Sequence, residues 1–174
     1  MPRIVVYLAG PAVFRRDAAA HGERLKALCA ARGLHPLWPL DNAAHGAPAA
    51  MARMLVEKNC AMIRAAAAVI ADISPFRGPN MDPGTAFEIG FASALDKPVF
   101  LYSASRHTLF QRTAANFDLE QNESGKFFDV DNMEVEDFDL AENLMIAGSG
   151  VTIHDDVDAA ITACARHFAT SHHR

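Results

Sequence analysis

The sequence is sparing in several features, and each absence narrows what the chain can be. Its cysteines, Cys29, Cys60 and Cys164, are odd in number, far apart and without CxxC spacing. They read as small buried hydrophobes in a reducing, cytoplasmic compartment, not as a disulfide framework. The histidines include no HExxH or comparable cluster, so no metal site is expected. His172 and His173 read as solvated residues of a frayed terminus. There is no dense block of Lys and Arg, and the formal net charge is −5. Nucleic acid and anionic membrane are therefore poor candidates for the main partner. No apolar run is long enough to span a bilayer, and the N-terminus lacks the apolar core and cleavage site of a signal peptide. No GxGxxG and no Walker lysine follow the first apolar run, which argues against a dinucleotide or nucleoside triphosphate cofactor. No Ser, His and Asp stand at a recognisable triad spacing.

What is present reads as one globular domain over residues 1–174, with 51% hydrophobic residues. Residues 3–9, Arg-Ile-Val-Val-Tyr-Leu-Ala, are short, continuous and β-branched, the pattern of a central strand buried on both faces. Gly10-Pro11 breaks it. Further strands are expected at 34–38, 67–73, 98–102 and 151–154, and helices at 17–32, 49–66, 83–95 and 155–170. Residues 41–48 and 74–81 read as loops. Residues 108–137 are polar and weakly periodic and read as a long loop with one short helix, followed by a helix over 138–147. Strands alternating with helices predict an α/β three-layer sandwich, flavodoxin-like or Rossmann-like, with a five-stranded parallel sheet in the order 2-1-3-4-5. In such sheets ligands bind at the carboxyl edge. That edge would gather Tyr7, Gly10, Phe14, Asp72, Asp82 and Glu88.

The chain is organised around the stretch from Asp82 to Leu95. Asp82 suits an N-cap and Pro83 the first helical position. The helix that follows is apolar or small all round, so burial on most sides is expected. Glu88 is its only charged residue. A carboxylate is rarely buried without a partner. Either Glu88 is satisfied by a structural hydrogen-bond network, or it is there to react. Small neighbours, Gly84 and Ala92, leave space beside it, and Asp82 is a second acid at the mouth of the same helix. Tyr7 is either core or site, and Gly10-Pro11 either a plain turn or a place where backbone approaches a ligand. Phe14 could supply an apolar wall, and Asp72 could bind ligand or cap the next loop. A buried carboxylate with an acid nearby is the equipment for chemistry at an anomeric carbon. One carboxylate attacks an oxocarbenium-like centre to form a glycosyl ester, and a second acid assists departure.

Five blocks carry a resemblance. They are Tyr7-Leu8-Ala9-Gly10-Pro11-Ala12-Val13-Phe14, Pro39-Leu40-Asp41-Asn42, Ala71-Asp72-Ile73-Ser74-Pro75-Phe76-Arg77-Gly78, Asp82-Pro83-Gly84-Thr85-Ala86-Phe87-Glu88-Ile89-Gly90 and Asn143-Leu144-Met145. In this order they resemble the nucleoside 2-deoxyribosyltransferase family, most of all the branch with the trypanosomatid enzymes. The resemblance implies the same parallel fold and transfer of 2-deoxyribose between nucleobases without a cofactor. It implies Glu88 as nucleophile at C1′, Asp82 as the acid that holds the sugar, and Tyr7 as hydrogen-bond donor to Glu88. Gly10, Phe14, Asp41, Asn59 and Asp72 fall at substrate-facing positions. Asn143 and Met145 match a segment that a neighbouring subunit inserts into the sugar pocket, which implies a homo-oligomer with shared sites. In lactobacillal relatives the position of Asn59 is an Asp that helps protonate the leaving base, and Gln follows the Asp-Asn pair where this chain has Ala43. Asn59 cannot supply a proton, so Asp72, Asp82 or water is left for that role. The ending Ser171-His172-His173-Arg174 lacks the aromatic carboxyl terminus of some relatives. An N-glycohydrolase acting on 2-deoxynucleosides or their 5′-monophosphates would share fold and nucleophile. A 5′-phosphate would want cations, and near the first strand only Arg15 and Arg16 offer them. A non-catalytic nucleoside-binding domain could keep Asp82 and Glu88 as sugar ligands.

Overall fold

The computed structural model describes residues 3–41, 46–148 and 150–171. In chain order its strands are Ile4–Ala9 (β1), Leu34–Leu37 (β2), Ala68–Asp72 (β3), Val99–Tyr102 (β4), Glu120–Gln121 (β5), Phe127–Phe128 (β6), Glu134–Val135 (β7) and Ile153–His154 (β8). Its α-helices are Ala18–Ala30 (α1), Pro48–Ala65 (α2), Pro83–Ser93 (α3), Leu109–Asn116 (α4), Leu144–Ala147 (α5) and Val157–Ser171 (α6). The main sheet has five strands in the order β2-β1-β3-β4-β8. Every neighbouring pair is parallel. This is the expected order, with β8 in the fifth place.

Alternation along β1 decides what lies on each side of the sheet. Val6 and Leu8 pack with Leu25 and Cys29 of α1 and Ile161 and Cys164 of α6. Tyr7 and Ala9 pack with Met62 and Ile63 of α2 and Ile89 and Ala92 of α3. Both clusters are buried, so the middle strands need apolar residues on both faces, and their sequences supply them. Tyr7 thereby shares the α2–α3 side with Glu88.

Several expectations need correction. The segment read as a mostly irregular loop holds α4 and a three-stranded antiparallel sheet, β5-β6-β7. Its turns are built by side chains. Asn122 Oδ1 accepts from the backbone of Ser124 and Lys126, and Asp129 Oδ1 from that of Asp131 and Met133. The helix expected over 138–147 contracts to α5, because Asp139 has φ 55° and the Leu140 carbonyl turns to the Leu109 N–H at 2.8 Å. α3 is not buried all round. Pro83, Gly84, Phe87, Gly90, Ser93 and Ala94 are exposed. Cys29 and Cys164 are buried as expected, but Cys60 is only half-buried. Residues 42–45, half of the loop expected over 41–48 and including Asn42 and Ala43, and His172 and His173 lie outside the described residues.

Candidate active site

α3 begins where β3 and its loop deliver the chain to the carboxyl edge of the sheet. Asp82 caps it. Asp82 Oδ2 accepts from the Thr85 N–H at 2.8 Å and from Thr85 Oγ1 at 2.9 Å, and both residues are buried. The other oxygen, Oδ1, takes no part in this cap. Further along the helix, Glu88 Oε1 accepts from the Tyr7 hydroxyl at 2.5 Å and from Asn59 Nδ2 at 3.4 Å. The donors come from β1 and α2, so two helices and the sheet converge on one carboxylate.

Burial pushes the Glu88 carboxyl up to about 7, and the charge of Asp82 pushes in the same direction, against the hydrogen bonds of Tyr7 and Asn59. The Tyr7 phenol is pushed up too, by burial and then by the Glu88 charge, so it remains a donor. A carboxylate held in this way is part ionised at neutrality, where it can act as nucleophile or proton carrier. Glu88 and Asp82 line a cavity of about 140 Å³ with Gly10, Phe14, Asn59 and Thr85. Val13, Pro39 and Gly84 complete it.

A second cleft of about 280 Å³ adjoins the first at Phe14 and is lined by Pro11, Arg15, His21, Asp72 and Phe76. Phe14 stacks on Phe76 with centroids 5.4 Å apart, and the Arg77 guanidinium lies over both rings. Asp72 Oδ1 accepts from the Ser74 N–H at 2.9 Å, which caps the loop after β3. Gly10 of the first cavity sits against Asp72 of this cleft. With φ 150°, a Cβ there would meet Asp72 Cβ at 2.8 Å. The close approach that Gly10 permits is thus to the side chain of β3.

The structure gathers Gly10, Phe14, Asn59, Asp82 and Glu88 around one cavity, with Tyr7 behind it on Glu88 and Asp72 in the adjoining cleft. It does not gather Asp41. That carboxylate is taken by Lys26 Nζ and by the Trp38 N–H at 3.3 Å, and Asp41 does not line either cavity. Asn143 and Met145 stand apart as well. Asn143 Oδ1 caps α5 by accepting from the Met145 N–H at 3.0 Å, and its Nδ2 donates to Glu136. Both residues are exposed, Met145 at 79%. Arg15 and Arg16 are exposed, and Arg15 pairs with Asp17. Pro39 and His21 lie in the site without having been singled out. Pro39 could have been found by extending the strand-end rule to β2, whereas nothing in the pattern of α1 marks His21. Among the described residues no group of three His, Cys, Asp or Glu side chains is placed to hold a metal ion, and no helix is long and apolar enough to cross a membrane.

An open parallel sheet with an acid-lined cavity at its carboxyl edge defines a class, the α/β proteins that work on small molecules at a strand-end crevice. Within that class the chain belongs to the nucleoside 2-deoxyribosyltransferase family, a family of pentosyltransferases, whose model matches residues 6–145. Among solved structures it is similar to the 2-desoxiribosyltransferase from Leishmania mexicana, at 35% identity over 95% of this chain and 99% of that one, with a TM-score of 0.77. It is also 35% identical over 99 residues to an uncharacterised protein of Schizosaccharomyces pombe. That alignment takes in 54% of this chain and 47% of the yeast protein, about half of its length.

Proposed function

We propose that the chain transfers 2-deoxyribose from one nucleobase to another by double displacement on Glu88. The observation that carries this reading is the half-buried Glu88 carboxylate, held by Tyr7 at 2.5 Å in a cavity that adjoins an aromatic-walled cleft. The sugar occupies the Glu88 cavity, where Asp82 Oδ1 takes a sugar hydroxyl. The base occupies the cleft beside Phe14 and Asp72. A Glu88 oxygen attacks C1′, the C1′–N bond breaks, and its electron pair leaves with the base. The base nitrogen takes its proton from Asp72 or water, since Asn59 has none to give. The resulting deoxyribosyl ester is attacked at C1′ by a nitrogen of the incoming base. That bond forms as the ester bond breaks, the proton passes outward, and the Glu88 carboxylate is restored.

The reading extends to the assembly. Met145 and Asn143 are exposed at the start of α5, and Phe87 on α3 is 57% exposed. In an assembly of this chain with a second copy, each would bring its exposed Asn143 and Met145 beside the other's sugar pocket. The free cysteines Cys29, Cys60 and Cys164 suit a cytoplasmic setting.

The decisive assay incubates a 2-deoxynucleoside with a different free base. A new nucleoside supports the transferase. Free deoxyribose without a new nucleoside would mark an N-glycohydrolase, and no change a binding module. Glu88→Gln should lower turnover by about 10³-fold or more while the fold persists. A 2-fluoro-2-deoxy substrate should leave its sugar covalently on Glu88 of the wild-type protein. An adduct on another residue would remove Glu88 as nucleophile.

A further inference from the structure

Two charged side chains are buried outside both cavities, and the mechanism above uses neither. The side chains of Arg112 on α4 and Glu142, just before α5, are 7% and 1% exposed and pair at 3.1 Å. A buried ion pair is a poor source of stability, because desolvating both charges offsets most of their attraction. What this pair has is reach. Arg112 Nε donates to the Pro79 carbonyl at 2.7 Å, and Nη1 donates to the His107 carbonyl at 2.7 Å. Glu142 Oε2 also accepts from the Met81 N–H at 3.0 Å, while its Oε1 accepts from the Asn143 N–H at 3.0 Å. The guanidinium and the carboxylate therefore hold the loop on both sides of Asn80, and the residue after Met81 is Asp82.

We infer that the Arg112–Glu142 pair is a positioning device for the sugar-binding end of the site, acting through Asp82. The inference rests on the reading of Asp82 as the acid that holds the sugar. The Asp82–Thr85 cap already gives α3 its start, so the helix does not need the pair in order to form. The cap sets the Asp82 side chain relative to its own helix. It does not set the loop that carries Asp82 against Gly10 and Phe14 across the cavity, and that is the loop the pair grips. The same carboxylate orients Asn143, so one buried node aligns both segments that the reading assigns to sugar binding. Two charges suit this task better than an apolar pair. A guanidinium fork and a carboxylate can fix four backbone positions by direction as well as by distance.

The test is a double-mutant cycle read in steady-state kinetics, with deoxynucleoside as the varied substrate. Glu142→Gln keeps the shape but replaces one acceptor oxygen by a donor amide. It should raise KM about tenfold and leave kcat within about threefold. Arg112→Lys keeps the charge but loses the fork, and should act in the same direction. Should Glu142→Gln fail to fold, Arg112→Lys carries the cycle. In an Asp82→Asn background either substitution should raise KM by much less than it does in the wild type. Additive effects, or a fall in kcat at unchanged KM, would mean that the pair only supports the fold and would overturn the inference. If Asp82→Asn alone left KM unchanged, Asp82 would lose its sugar role and the inference would fall with it. The two failures are distinguishable, since additivity leaves the role of Asp82 intact.

Discussion

Glu88 is held in a state that does not favour its charge. Burial raises its carboxyl from 4.5 in the free side chain to about 7, so the folded protein binds a proton there that the unfolded chain releases. The stability associated with protonated Glu88 is fully present below about 4.5 and is lost as pH rises through about 7. Glu88→Gln cannot titrate. Its stability advantage over the wild type should therefore grow from near zero at pH 4 to up to about 3 kcal/mol at pH 8. Urea melts of the two proteins across that range check this, and a constant gap would show that Glu88 is not strained by burial. The same displacement sets the rate. The attacking form is the carboxylate, so kcat/KM should rise with pH and level off above about 7. Tyr7 also bears on sugar choice. Its hydroxyl is spent on Glu88 at 2.5 Å, and it is fully buried. An added 2′-hydroxyl would have to fit beside Glu88, whose Oε1 already accepts from Tyr7 and Asn59, in a cavity of about 140 Å³. Deoxyribonucleosides should be preferred over ribonucleosides by about 10²-fold or more, which corresponds to an ill-paired polar group costing on the order of 2 kcal/mol or more. Comparing kcat/KM for deoxyinosine and inosine decides this, and equal values would sink it.

At the scale of elements, the contact between the end of β1 and β3 has little tolerance. Gly10 has φ 150° and sits where a Cβ would reach Asp72 Cβ at 2.8 Å. Gly10→Ala strains the backbone and displaces Asp72, so it should cost about 2 kcal/mol or more of stability and also weaken base binding. Denaturant midpoints together with KM for the free base measure both effects. That such a contact exists was only half legible in the sequence. Gly10-Pro11 marked a break, but which neighbour comes close depends on the pairing of β1 with β3. The main sheet was legible because its strands are short, apolar and separated by amphipathic helices. Asp82 and Pro83 announced the start of α3, and a single acid in its interior announced Glu88. The three-stranded sheet was not legible, because strands of two residues carry no periodicity. Only its turn residues signal it, Asn122 with Gly125 and Asp129 with Asn132. Arg112 and Glu142 lay hidden for a different reason. Separated by thirty residues of polar sequence, they look like ordinary surface charges until the fold buries them together. The helix expected over 138–147 failed at Asp139, whose left-handed backbone no apolar pattern reveals.

At the scale of the whole molecule, the chain displays two residues that its own Glu88 cavity does not touch. Asn143 is spent within its own chain on capping α5 and on Glu136, and neither contact is with the Glu88 cavity. Met145 projects into solvent beside it. If the two residues serve a second copy, a symmetric dimer is the smallest closed unit in which each copy completes the other's site. Complementation tests this directly. Glu88→Ala and Asn143→Ala should each be nearly inactive alone. When they are mixed under conditions that exchange subunits, both lesions of a mixed dimer fall in the same site. The other site then has its own Glu88 and its neighbour's Asn143 intact. Equal mixing makes half of the dimers mixed, each with one working site of two, so activity should recover to about a quarter of the wild-type level. If exchange is verified by differently tagged subunits and activity stays at the parental level, Asn143 serves only the chain that carries it. Its role would then end at the cap of α5 and the Glu142 contact that holds it.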